Sequence, residues 1–180
     1  MAQPWHGRFC WYELMTTDTA AAEGFYTKVV GWGAEPFAGL ETPYTTWTSG
    51  TTAVGGLMEL PAEAKAGGAP PSWMLYVAVE SADATAKLAE SLAGKVEFGP
   101  ADVPNVGRFA VLSDPQGAHF AVMQPADPSG SSGTDEPPAP REVSWRELAT
   151  TDREGATAFY QALFGWERQN ANDMGEPVGV

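Results

Sequence analysis

The sequence predicts an α+β fold built from two β-α-β-β-β modules, followed by the start of a second such pair. Three observations predict it. Apolar residues alternate with period two, switch once to helical spacing and return to period two, and this order occurs twice before residue 125. Stretches rich in Pro and Gly separate the two modules and end the second. A long block then recurs: Trp11-Tyr-Glu13-Leu-Met-Thr-Thr-Asp18, Phe25-Tyr26 and Gly31-Trp32 return as Trp145-Arg-Glu147-Leu-Ala-Thr-Thr-Asp152, Phe159-Tyr160 and Gly165-Trp166, every pair 134 positions apart. From Trp11 to Trp32, 11 of 22 residues are identical in the second copy, which marks a duplicated folding unit rather than a short solenoid period.

Each element has its own signal. Phe9 to Thr17 is aromatic and Thr-rich, a strand, and Asp18 is placed to cap the helix Thr19 to Val30, whose apolar stripe is Phe25, Tyr26, Val29 and Val30. Gly31 stands where a left-handed C-terminal cap is wanted. Three short strands follow, around Gly33–Phe37, Tyr44–Ser49 and Ala53–Leu60. Pro61 to Ser72 is too rich in Pro and Gly for a regular element and is expected to be a connector. The second module reads as strand Trp73–Glu80, helix Ala84–Ala93 closed by Gly94, and strands Val96–Phe98, Arg108–Ser113 and Ala118–Gln124, the last two joined by the turn Asp114-Pro-Gln-Gly117. The predicted domain therefore covers 9–125, with modules at about 9–60 and 73–125. A flexible acidic linker, 126–140, leads to 141–180, an incomplete second unit with a first strand and helix.

Composition excludes several function classes. Ten basic residues against 23 acidic ones give a net charge of -13, so no nucleic acid and no anionic membrane surface is an expected partner. No apolar run approaches the roughly 18 residues of a membrane span, the N-terminus lacks a signal-peptide core, and the single Cys10 has no internal disulfide partner; a cytoplasmic protein is expected. The dinucleotide fingerprint, phosphate loop and nucleophile elbow are all missing from the sequence.

The two modules, the Asp-capped helix with Phe-Tyr and closing Gly-Trp, and the late Asp-Pro-x-Gly hairpin together resemble the vicinal-oxygen-chelate superfamily of glyoxalase I, bleomycin-resistance proteins and extradiol dioxygenases. Trp-x-Glu-Leu with Phe-Tyr and Gly-Trp is similar to its two-unit branch related to lactoylglutathione lyase. The resemblance implies a glyoxalase-like, cup-shaped mixed sheet that, in many members, holds a divalent metal on His, Gln or Glu. It also implies where those ligands belong: at Trp11, seven residues before Asp18; at Met74, or Trp73 one residue earlier, on the first strand of the second module; and at Ala121, seven residues after Asp114. None of these side chains is a ligand for a hard cation. Glu59 alone remains in a suitable region, so no cofactor is expected, and a divalent metal is the alternative. The resemblance also admits a homodimer through module pairing.

Strand alternation names the cup lining. Trp11, Glu13 and Met15 face inward if Trp11 does, while Cys10, Tyr12, Leu14 and Thr16 face the helix; Met74 and Tyr76, then His119, Ala121 and Met123, follow on the other strands. Trp47 is either a further candidate ligand surface or part of the helix-facing core. Glu13 and His119 are each a candidate catalytic acid or base, and Glu13 needs a partner such as Arg108 or a ligand to be buried. Two functions are left open. One is a binding protein similar to the bleomycin-resistance members, sequestering a small planar or aromatic molecule without a metal. The other is a lyase, isomerase or dioxygenase-type enzyme using Glu13 and His119 or a divalent metal. A catalytically silent scaffold is the third and plainest option.

Overall fold

The computed structural model describes residues 3–40, 42–127 and 138–168. Strand β1 (Phe9–Thr16) leads into helix α1 (Thr19–Val29), and Asp18 caps it by accepting a hydrogen bond from the Ala21 amide at 2.9 Å. Such a cap contributes about 1 kcal/mol. Gly31, at φ +79°, turns the chain out of the helix into β2 (Gly33–Pro36), β3 (Tyr44–Ser49) and β4 (Thr52–Glu59). The connector contains a short helix, α2 (Ala62–Ala66), which the sequence reading had excluded; Ala, Glu and Lys favour helix, and Pro61 sits at its start where no amide is needed.

The second module runs β5 (Ser72–Ala78), α3 (Ala82–Ser91), β6 (Lys95–Val103), β7 (Gly107–Ser113) and β8 (His119–Pro125). Element ends differ from expectation by at most two residues except in β6, and two differences have a clear physical cause. β6 continues past Phe98 through Gly99 and Pro100, because two register shifts against β7 absorb them. After α3 the left-handed residue is Ala93, φ +65°, while Gly94 serves packing instead: a Cβ there would lie 3.0 Å from the Phe159 ring.

The eight strands among the described residues form one mixed sheet in the order β2-β3-β4-β1-β5-β8-β7-β6. β1 and β5 meet antiparallel at its centre, Trp11 opposite Tyr76 and Glu13 opposite Met74. Trp11 and Met74 each lie seven residues before their helix cap, Asp18 or Ser81, as Glu13 and Tyr76 each lie five before. The pairing is thus reciprocal, and the modules are related by a twofold between β1 and β5.

The helix-covered face holds two cores. Leu14, Trp47, Val54 and Leu57 pack under Ala22, Tyr26 and Trp32. Val77, Val79, Ala110, Leu112, Phe120 and Val122 pack under Ala82, Ala86 and Ala89 of α3 and under Phe159, Leu163 and Phe164. Those last three belong to α4 (Arg153–Phe164), capped by Asp152 through the Gly155 amide at 2.9 Å and closed by Gly165 at φ +72°. The expected helix of the second unit therefore forms. Its expected first strand does not: no residue from 143 to 150 is in a strand, and Trp145 is 78% exposed. A helix satisfies its own backbone, whereas a strand needs neighbours, and the partners β1 finds in β4 and β5 have no second copy among the described residues. Most of the expected linker, 128–137, lies outside those residues.

Candidate functional site

The face of the sheet opposite the helices carries the third apolar cluster. Met74, Tyr76 and Ala121 are buried there, with Cys10, Trp11, Met15, Phe109, Val111 and Met123 partly buried around them. Alternation along β1 and β5 thus brings Trp11, Met15, Met74 and Tyr76 around Glu13, which is only 7% exposed, while Met123 on β8 lies on the same face beside Ala78, two strands away.

Glu13 is held by two phenols. Tyr76 donates its hydroxyl to Glu13 Oε1 at 2.9 Å, and Tyr44 donates to Oε2 at 2.9 Å. Trp11 Nε1 in turn donates to the Tyr44 hydroxyl at 2.8 Å. Burial raises the Glu13 carboxyl above the ordinary carboxylate range, and the hydrogen bonds from Tyr76 and Tyr44 oppose that rise. Both phenols are pushed upward, first by burial and then by the Glu13 charge. They stay protonated and act as donors. Each Glu13 oxygen keeps a free lone pair, so the group can accept a further hydrogen bond or a proton inside an apolar surround.

Tyr44 reaches Glu13 over a glycine. Gly56 pairs with Glu13 on one side and Thr46 on the other, and a Cβ on Gly56 would collide with the Tyr44 hydroxyl and ring. Neither Tyr44 nor Gly56 was expected in the site. The available signal was Gly55-Gly56 inside a strand, which marks close approach of another group.

Other expected residues lie elsewhere. Trp47 points to the opposite face, with none of its surface exposed, in the α1-side core: Tyr44 and Thr46 take the open face, so Trp47 cannot. Its Nε1 has no hydrogen-bond partner there. Arg108 does not serve Glu13; it pairs with Asp83 at 2.7 Å and Asp102 at 3.0 Å. Cys10 was expected toward the helices, but a register shift between Phe9 and Trp11 turns it into the Met74–Tyr76 cluster, where burial pushes its thiol up to about 12. His119 begins β8 just after the Asp114 turn, opposite Ser113 and 4.0 Å from Glu97, with its side chain 56% exposed. The β5–β8 register, extended two residues, sets it level with Met74, two strand spacings or roughly 10 Å from Glu13's strand.

The metal positions implied by the sequence resemblance can now be placed. Ala121 stands beside Tyr76 as Gly56 stands beside Glu13, so the module twofold adds Gly56 to Trp11, Met74 and Ala121. None of these four carries an oxygen or imidazole donor, both oxygens of the nearby Glu13 already accept phenol hydrogens, and among the described residues no three His, Cys, Asp or Glu gather into a metal-sized group. The donor set does not fit a hard divalent cation.

Comparison with known proteins agrees with this architecture. "Putative glyoxylase CFP32" of Mycobacterium bovis is 46% identical over 123 residues, covering 67% of this chain and 45% of that protein. Anthracycline biosynthesis protein DauV of Streptomyces sp. (strain C5) is 36% identical over 173 residues, covering 88% and 61%. The chain thus spans about half the length of these curated relatives. Among solved structures, the Mn(II)-bound glyoxalase from Novosphingobium aromaticivorans shares the fold at TM-score 0.56 and 16% identity, over 90% of this chain and 54% of that one. Methylmalonyl-CoA epimerase from Mycobacterium tuberculosis does so at TM-score 0.50 and 16% identity, over 73% and 97%. Among the described residues no helix is long and apolar enough to cross a membrane. The profile of one family matches residues 8–122, and the chain belongs to it: the Glyoxalase/Bleomycin resistance protein/Dioxygenase superfamily.

Proposed function

We propose that the open face binds a small planar or aromatic molecule in the cytoplasm, without a metal, between the methionine wall and Trp11, with Glu13 accepting a hydrogen bond from the ligand. One observation carries this reading: a buried carboxylate held by Tyr44 and Tyr76 stands beside Met74 and Met15, on the face that Met123 continues, where the family's ligand positions bear no donors. Thioethers and aromatic rings make an adaptable apolar wall for a flat ligand, and one fixed polar group orients it. A donor on the ligand, a hydroxyl or an ammonium, would meet the remaining lone pairs of Glu13.

Thermal-shift screening of planar aromatic compounds tests the proposal, with an anthracycline in the panel because one relative carries that word in its name. A concentration-dependent rise in Tm that Trp11→Ala and Glu13→Gln each reduce is expected. A panel that gives no shift, or one whose shift both variants retain, contradicts the reading.

The raised Glu13 pKa supports a second reading, a lyase or isomerase in which Glu13 takes a proton from a bound carbon acid. Turnover that Glu13→Gln abolishes while ligand affinity persists would favour it over simple sequestration.

A further inference from the structure

The two copies of the repeat touch each other in matched pairs. Trp32 Nε1 donates to the Arg141 carbonyl at 2.7 Å, and Trp166 Nε1 donates to the Gly7 carbonyl at 2.7 Å. Trp166 is the counterpart of Trp32, and Arg141 lies at the same 134-residue offset from Gly7. Gly7 and Arg141 share a left-handed backbone, φ +78° and +71°. Arg146 donates to the hydroxyl of Tyr12, its own counterpart. When i meets j′, i′ meets j and one residue meets its own counterpart, the two copies are related by a twofold axis passing beside that residue.

The axis states what each copy should face. α4 lays Phe159 and Leu163, 3% and 4% exposed, on the second module of the first unit, against the α3 alanines, Phe120 and Val122. Their counterparts on α1, Phe25 and Val29, are 56% and 66% exposed. The other helix face differs less. Tyr26 and Trp32 cover the first module's sheet, and Tyr160 and Trp166 pack at the edge of the second module's core, Tyr160 donating to Asp114, while also lining an open cleft with Gln161.

We propose that Phe25 and Val29 form the docking face for the second module of another glyoxalase-type unit, placed by this same axis. That module would present an alanine-lined helix beside aromatic and β-branched strand residues, as α3, Phe120 and Val122 do. A second copy of the 180-residue chain does not supply the face, because its first module is covered by α1 and its second by α3 and α4. Relatives about twice as long as the matched part have room for such a module.

The test uses the 180-residue chain and a chain in which the repeat is completed by joining residues 33–125 after Trp166. Amide exchange across α1 is expected to slow by about tenfold or more in the completed chain. The double substitution Phe25→Glu, Val29→Glu should lower the Tm of the completed chain by about 5 °C and leave the 180-residue chain within about 1 °C of its parent. Equal α1 exchange in both chains, a double variant as harmless in one as in the other, or a completed chain that does not unfold as one cooperative unit overturns the proposal. Sedimentation of the 180-residue chain is the second measurement. A monomer is expected, and a dimer broken by the double substitution would assign the face to a second copy and overturn it as well.

Discussion

The Tyr44 hydroxyl stands in the space that a side chain on Gly56 would fill, and from there it donates to Glu13. A missing Cβ on one strand is thus what lets a phenol from the next strand reach a carboxylate on the third. Gly56→Ala should expel the Tyr44 ring and leave Glu13 with one donor. Overpacking of this kind costs about 1–3 kcal/mol, and the loss of the hydrogen bond adds to it. Urea denaturation of Gly56→Ala, Tyr44→Phe and the double variant should show strong non-additivity, since both substitutions break the same contact.

Glu13 should make stability fall as pH rises. Its folded-state pKa lies above its unfolded value because burial outweighs the hydrogen bonds from Tyr76 and Tyr44. Below the unfolded value both states hold the proton. As pH climbs from the ordinary carboxylate range toward the raised value, the unfolded chain releases a proton that the native state keeps, so stability is lost across that window and stays lower above it. Glu13→Gln has no proton to release. Thermal denaturation at a series of pH values should show the variant gaining on the parent with rising pH, on top of a pH-independent offset from altered hydrogen bonding.

Matched positions of the repeat should respond unequally to truncation. Phe159→Ala opens a cavity in the core under α4 and should lose about 3–5 kcal/mol, whereas Phe25→Ala on exposed α1 should change stability by about 0.5 kcal/mol or less. Chemical denaturation of the two variants compares them directly.

Cys10 should be silent toward thiol reagents. Burial pushes its thiol up to about 12, so at pH 8 almost none is thiolate. A chromogenic disulfide reagent should react with native protein only at the rate of unfolding, and at once in denaturant.

Much of the fold could be read from the chain because it is written locally. Asp18 and Asp152 cap their helices, Gly31 and Gly165 close them, and alternation from Trp11 placed Glu13, Met15, Met74, Tyr76 and Met123 on one face. What could not be read depends on neighbours. Choosing Trp47 as the aromatic of β3 hid Tyr44, three residues earlier and therefore on the other face. Cys10 changed sides at a register shift that only pairing with β5 creates. Residues 143–150 carry the same strand signal as β1 yet are not in a strand, because pairing is supplied by partners and not by the segment itself.

The proposed metal-free binding at Glu13 is tested most directly by an affinity measurement on chelator-stripped protein. Trp11 borders the site, so tryptophan fluorescence can report a titration with whichever aromatic compound shifts the Tm. One Kd is expected, unchanged within about twofold by adding Mn, Zn or Ni, and weakened about tenfold in Glu13→Gln, as the loss of one good hydrogen bond implies. Binding that vanishes on stripping and returns with one equivalent of divalent ion would contradict it.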